Sequence, residues 1–194
     1  KHYWRLHSII IKSIMKLYGV KVGKNFYCES TPKLKLKGKA SNIIIGDNVK
    51  FLGEVDLRNR ENGRITLRDN TSLETGVRLV SAREGIIDIG EDTSIGPHSI
   101  INGGGNVVIG KKCLFAKNIS INANDHMYDK ILPIKEQGFI HKDVLIEDDV
   151  WLGANVCVNK GIIIKKGSVV GANAVVTKNT SEYSISVGIP AKQL

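Results

Sequence analysis

Apolar side chains return every sixth residue between positions 45 and 180 of this chain. Aliphatic or Phe anchors fall at Ile45, Phe51 and Leu57, at Leu67, Leu73 and Leu79, at Ile89, Ile95 and Ile101, and at Ile109, Phe115 and Ile121. After a gap they resume at Ile140, Ile146, Leu152, Val158, Ile164, Val170 and Val176. The positions between the anchors are patterned too. Asn, Asp or Gly stands three residues after an anchor at 14 of 19 sites, among them Asn48, Asn70, Gly76, Asp92, Asn118, Asp149, Asn155, Gly167 and Asn173. These residue types tolerate a left-handed backbone or cap a tight turn. One residue later a small or β-branched side chain occurs at 16 of 19 sites, such as Val49, Thr71, Thr93, Cys113, Val150, Ser168 and Ala174. Each hexad thus reads as a short strand, a corner and a second inward-facing residue. A fixed short period of this kind predicts a parallel β-helix.

The spacing breaks after Leu57, Leu79, Ile101 and Ile121, which is after every third anchor. If three hexads make one coil, every insertion leaves from the same corner of a three-sided prism. Triangular coils of about eighteen residues are therefore expected, stacked at roughly 4.8 Å into a solenoid on the order of 30 Å tall. Residues 1–19 read instead as an amphipathic helix. Lys1, Arg5, Lys12 and Lys16 share one face, while Trp4, Ile10, Ile11, Ile14, Leu17 and Tyr18 cover the others. The helix is expected to cap the open end of the solenoid; peripheral contact with an anionic membrane is a second use for it. The solenoid is assigned to 20–180, with an irregular first coil through KLKLKGK and a protruding loop at 124–139. The tail 181–194 leaves the repeat.

Composition adds limits. A chain of 194 residues with 6% aromatics and 20 glycines suits one domain built as a narrow prism. Cys28, Cys113 and Cys157 show no CxxC spacing, so neither a disulfide framework nor a zinc knot is expected. Cys113, in a small-residue slot, should be a buried thiol. No run approaches the ~20 apolar residues that span a membrane, and no signal-peptide pattern is present. A cytoplasmic location is expected, with the inner face of the membrane within reach of the helix. The net charge of +9 is dispersed over lysines without an aromatic platform or a nucleic-acid motif, so no nucleic-acid partner is expected. Phosphorylated cofactors and anionic glycans fit the charge.

Side chains of a prism point inward or lie flat outside, so a cleft must come from what departs from it. The widest departure is NANDHMYDKILPIKEQGFIHK at 122–142, with His126 at its root between Asp125 and Asp129. A histidine of near-neutral pKa is the usual general base for a hydroxyl or amine, and a flanking carboxylate would orient it. A zinc site would need three ligands from distant segments, and paired histidines of the kind γ-class carbonic anhydrases use are missing. No metal is expected.

From Ile89 to Leu194 the chain resembles the hexapeptide-repeat acyltransferases, in particular the galactoside, maltose and polysaccharide O-acetyltransferase branch. The matching stretches are DHMYD at 125–129, VLIEDDVWLGANVCVNKG at 144–161, GSVVGANAVVTKN at 167–179 and YSISVGIPAK at 183–192. The resemblance implies a left-handed β-helix, an exception to the usual crossover hand. It also implies a homotrimer with active sites between neighbouring prisms, acetyl-CoA as co-substrate, and a sugar or glycan acceptor. Carried onto this sequence, it makes His126 the catalytic base and Trp151 a wall beside the pantetheine arm and acceptor. Gly153, Ala154, Gly171 and Ala172 would present backbone along the cofactor, and Thr177, Lys178 and Lys192 would meet its nucleotide end. The galactoside and maltose enzymes use an Asn to hold the acceptor where this chain has Gly96; His98 and Asn102 lie near enough to substitute, and Asn102, Asp125, Asp129 and Trp151 are the acceptor candidates. The expected reaction is acetyl transfer to a sugar hydroxyl of a surface polysaccharide or its precursor. N-acetylation of a nucleotide-linked amino sugar and a non-enzymatic scaffold are the rival readings.

Overall fold

The computed structural model describes residues 2–129 and 131–194; Lys1 of the basic helix face lies outside them. The chain winds as a left-handed parallel β-helix of about seven triangular coils behind one N-terminal helix. Each coil contributes one short strand to each of three faces. The first face runs from Lys21–Val22 to Ile163–Ile164 and the third from Lys33–Leu36 to Val175–Val176. The second runs from Tyr27–Cys28 to Ile185–Val187, with Lys192–Gln193 folding back antiparallel at its base.

The anchors stack in register. On the third face Leu57 pairs with Leu79, Leu79 with Ile101, Ile101 with Ile121, Ile121 with Val158 and Val158 with Val176. All six are buried, as are Phe51 and Phe115 on the second face. Strand pairing at every coil means that a one-residue slip would turn the apolar column outward, so the period itself fixes the register.

The corners explain the Asn, Asp and Gly positions. All nine named above have positive φ, from 57° at Asn48 and Asp92 to 75° at Gly76. The asparagines also bond to one another between coils. Asn25 donates to Asn48, Asn48 to Asn70 and Asn70 to Asp92, each at 3.0 Å. At the next corner Asn118 donates to Asn155 at 3.0 Å and Asn155 to Asn173 at 2.9 Å. His98 and Lys112 take the same left-handed conformation without being small. The slot one residue later is buried in every named case. Cys113 is among them: its Sγ donates to the Glu147 carbonyl at 3.2 Å, and burial pushes its thiol pKa up to about 11.

Three sequence expectations need correction. Ile140 is no core anchor: Phe139–His141 pairs antiparallel with Asn124–His126, and the prism resumes at Val144–Ile146. The excursion therefore reaches beyond residue 139, to about residue 142. The first coil is regular, because Val22, Cys28 and Leu34 occupy the anchor columns with the six-residue period intact. Cys28 hid it by being neither aliphatic nor Phe. The tail adds another strand, Ile185–Val187, beside Val169–Val170.

Helix α1 (His2–Leu17) lies over the first coil, burying Ser8, Ile11 and Met15. The backbone N–H of Cys28 donates to Ser8 Oγ at 2.8 Å, so the helix satisfies an edge group that the sheet leaves open. Leu6, Ile9, Ile10, Ile14 and Leu17 remain exposed. Among the described residues no helix is long and apolar enough to cross a membrane.

Candidate active site

Insertions follow the third-face strands of the first five coils, and all leave where the third face turns into the first, as the spacing predicts. The last of them is an antiparallel hairpin in which Asn124 faces His141, Asp125 faces Ile140 and His126 faces Phe139. Met127 N–H donates to the Gly138 carbonyl at 3.0 Å, closing the arms beyond the last pair. His126 is exposed, and its ring centroid lies 4.3 Å from that of Phe139 at a tilt of 37°. Phe139 thus supports one side of the imidazole and leaves the ring nitrogens available.

Neither flanking carboxylate orients His126 in the isolated chain. Neighbours along a strand point to opposite sides, and Asp125 pairs with Lys160 of the following coil. Asp129 closes the loop on itself, accepting from Ile131 N–H at 3.1 Å while its own N–H donates to Gln137 Oε1 at 2.6 Å. Lys160 and Phe139 were not foreseen. Lys160 had a signal, because it sits one residue before the corner Gly161 on the coil directly after the one that carries Asp125.

A groove of about 680 Å³ lies beside the hairpin along the third face. Phe139, His141 and Asn124 wall its near end, and Asn102 and Asn122 form part of its floor. Asn102 Nδ2 donates to Asn122 Oδ1 at 2.9 Å, so the two amides are held as a pair. Farther from the hairpin the lining is basic, with Arg58, Arg60, Arg78 and Arg83. The His141 ring fits over Gly104, where a Cβ would come within 2.5 Å of its Nδ1. Burial first, and the Arg83 charge second, lower the His141 pKa. Its Nδ1 is buried and has no hydrogen-bond partner among the described residues.

Toward the other end of the prism, Thr177, Lys178 and Lys192 line one cavity of about 320 Å³, closed by the Pro190–Ala191 turn. Three expected cofactor residues therefore converge. Gly153 and Ala154, then Gly171 and Ala172 one coil later, occupy successive turns between the second and third faces. Gly153 is required by close approach, since a Cβ there would lie 2.6 Å from the Ala172 nitrogen. Trp151 is not brought to His126. It stands 51% exposed on the second face, between Leu114 and Val169. In a three-sided prism that face lies opposite the corner from which the hairpin leaves. Among the described residues no cluster of His, Cys, Asp or Glu could hold a metal ion.

Residues 143–178 match the family model described as the hexapeptide repeat of succinyl-transferase. A probable acetyltransferase of Mycobacterium tuberculosis is 35% identical over 152 residues, covering 77% of this chain. The polySia-specific acetyltransferase NeuO superposes with a TM-score of 0.62 at 26% identity, over 90% of this chain and 84% of its own. The chain thus shares the hexapeptide repeat and the fold of hexapeptide-repeat acetyltransferases. It spans about half the length, 48%, of the mycobacterial relative. The fold is shared as well with an N-acyltransferase of Bacillus cereus, solved with dTDP-4-amino-4,6-dideoxyglucose and coenzyme A. That match has a TM-score of 0.65 at 18% identity, covering 94% of this chain and 87% of the other.

Proposed function

We propose that this chain transfers an acetyl group from acetyl-CoA to a sugar hydroxyl, on a surface polysaccharide or its precursor. The observation that carries the reading is His126 on the hairpin whose Asn124, Phe139 and His141 wall the groove floored by Asn102 and Asn122, with the cavity of Thr177, Lys178 and Lys192 farther along the prism. The first suits an acceptor rich in hydroxyls, since an amide both donates and accepts. The second offers two ammonium groups to the phosphates of the nucleotide. His126 removes the hydroxyl proton as the oxygen attacks the thioester carbon. The C–S bond then breaks and the imidazolium returns the proton to the departing sulfur. Backbone N–H groups along the coil stabilise the oxyanion.

The opposite placement of Trp151 and His126 supports a site completed by a neighbouring copy, and with it a homotrimer built around cyclic clefts. Sedimentation is expected to give three chains per particle. A fully active monomer would refute the shared cleft. A cytoplasmic location, at the inner membrane face, fits the buried free thiols of Cys28 and Cys113 and the exposed apolar and basic residues of α1. The activity is tested by incubating the protein and acetyl-CoA with a panel of sugars, amino sugars and glycans, and reading mass shifts and thiol release. A shift confined to amino sugars would replace O- by N-acetylation. No thiol release with any acceptor would leave a scaffold.

Lys178→Ala is expected to raise the KM for acetyl-CoA roughly tenfold, about 1.4 kcal/mol. Turnover should change little, because a phosphate contact far from the thioester is made equally in ground and transition states. The loss should shrink at high salt, as ions screen an exposed charge. Calorimetry at low salt showing wild-type affinity in the variant would reduce Lys178 to surface charge.

A further inference from the structure

The third-face groove carries more charge than a neutral sugar needs. Four arginines line it, against one acidic lining residue, Glu61. They divide into two pairs. Arg58 and Arg78 both reach Asp56, a buried carboxylate: Arg58 Nε donates at 2.9 Å, and Arg78 Nε lies 3.3 Å away. Asp56 therefore neutralises part of their charge and fixes where they stand; the Arg58 hydrogen bond holds its carboxyl below the usual range. Arg60 and Arg83 are exposed and have no ion-pair partner among the described residues.

Arg60 and Arg83 also occupy an informative place in the chain. They belong to the insertions at 60–63 and 82–85, which leave from the same corner as the His126 hairpin. Arg83 is held at φ +58° and its neighbour across the coils, Glu61, at +55°. Each insertion carries one arginine and one glutamate, Arg60 with Glu61 and Arg83 with Glu84, and both arginines line the groove whose other end is the hairpin, which Glu84 does not. At that end the His141 ring lines the same space, with its unpartnered Nδ1 buried against Gly104. A guanidinium presents a planar fork of donors that matches a carboxylate or a phosphate and is not discharged at any physiological pH.

We infer that the groove of Arg58, Arg60, Arg78 and Arg83 binds the acceptor as an anionic saccharide, with its negative groups on Arg60 and Arg83 and its hydroxyls on the Asn102–Asn122 pair. This rests on the sugar-acetyltransferase reading and names the acceptor class for that same site. A carboxylate on the saccharide and a phosphate linked to it share the chemistry.

The test separates the two levels. The full chain, without any acyl donor, is titrated calorimetrically at low salt with three probes: a tetramer of sialic acid, UDP-N-acetylglucosamine and neutral maltotetraose. At least one anionic probe is expected to bind roughly tenfold or more tightly than maltotetraose, and the probe that does so assigns the charge to carboxylate or diphosphate. The Arg60→Gln/Arg83→Gln double variant should lose that preference while keeping the wild-type unfolding midpoint and acetyl-CoA affinity. Maltotetraose binding as tightly as both anions, or a double variant that keeps the preference with its fold intact, overturns the inference. Thiol release from acetyl-CoA is read in a separate assay, so the transferase reading stands or falls independently.

Discussion

His126→Ala is expected to abolish acetyl transfer while leaving the fold and the affinity for acetyl-CoA nearly intact. Removing a general base typically costs 10²–10⁴-fold in rate, and among the described residues no second exposed imidazole lies on the hairpin. The nearest other imidazole, His141, is two strand positions beyond the facing Phe139, and burial has lowered its pKa. The structural cost should be small. His126 is exposed, its ring meets only Phe139 among aromatic partners, and the hairpin is held by backbone pairing rather than by this side chain. Thiol release measured at saturating acetyl-CoA, beside calorimetry and circular dichroism, separates the two effects. Undiminished turnover in the variant would move the chemistry to another residue and remove the reason for placing the site at this hairpin.

Phe51→Ala should produce the largest loss of stability among single substitutions in the first coils. Phe51 is completely buried on the second face, one coil above Leu73, and its ring meets the edge of Phe26 at 5.1 Å and 89°. Deleting a buried Phe side chain costs about 3–5 kcal/mol through lost transfer energy and the cavity left behind. A narrow prism has little freedom to collapse into that space, because strand pairing above and below fixes the backbone. In a chain of this size the midpoint of thermal unfolding should fall by roughly 6–20 °C. Because each coil touches only its neighbours, the coils near α1 should loosen before those near the hairpin. Hydrogen exchange would show this as faster exchange in the strands through Glu74. A midpoint within a degree of wild type would mean that the upper coils add nothing to cooperative stability.

Much of this architecture was legible because a hexad constrains three things at once. The anchor predicts a buried residue, the third position a left-handed corner, and the grouping by threes a common exit for insertions. Each prediction concerns the local backbone, and the corner residues Asn48, Asn70 and Asp92 meet it with positive φ. Reading failed where the same pattern arose from another cause. Ile140 matched the period while lying on a hairpin arm, and Cys28 broke the residue-type rule while keeping the period. The site was less legible, because it depends on which residues stack across coils of unequal length. Arg58, Val80, Asn102 and Asn122 form one column at the position after the third-face anchors. Following that column would have found the groove and placed Asn102 in it. The pairing of Asp125 with Lys160 follows from the same stacking. The separation of Trp151 from His126 needed the faces to be assigned in order around the prism, which residue types alone do not do.

The corner asparagines have a consequence for how such a chain can change. Asn118 and Asn155 lie 37 residues apart, while Asn155 and Asn173 lie 18 apart, yet the two hydrogen bonds differ by only 0.1 Å. The scaffold therefore does not register the excursion between them. Doubling the length of a flexible connection costs only about 0.6 kcal/mol of closure entropy. Mutation can lengthen, shorten or rewrite the hairpin at small thermodynamic cost, while the coils on either side keep their alignment. New acceptors can in this way be explored by lineages that inherit an unaltered donor end, with selection acting on the two halves of the site almost separately.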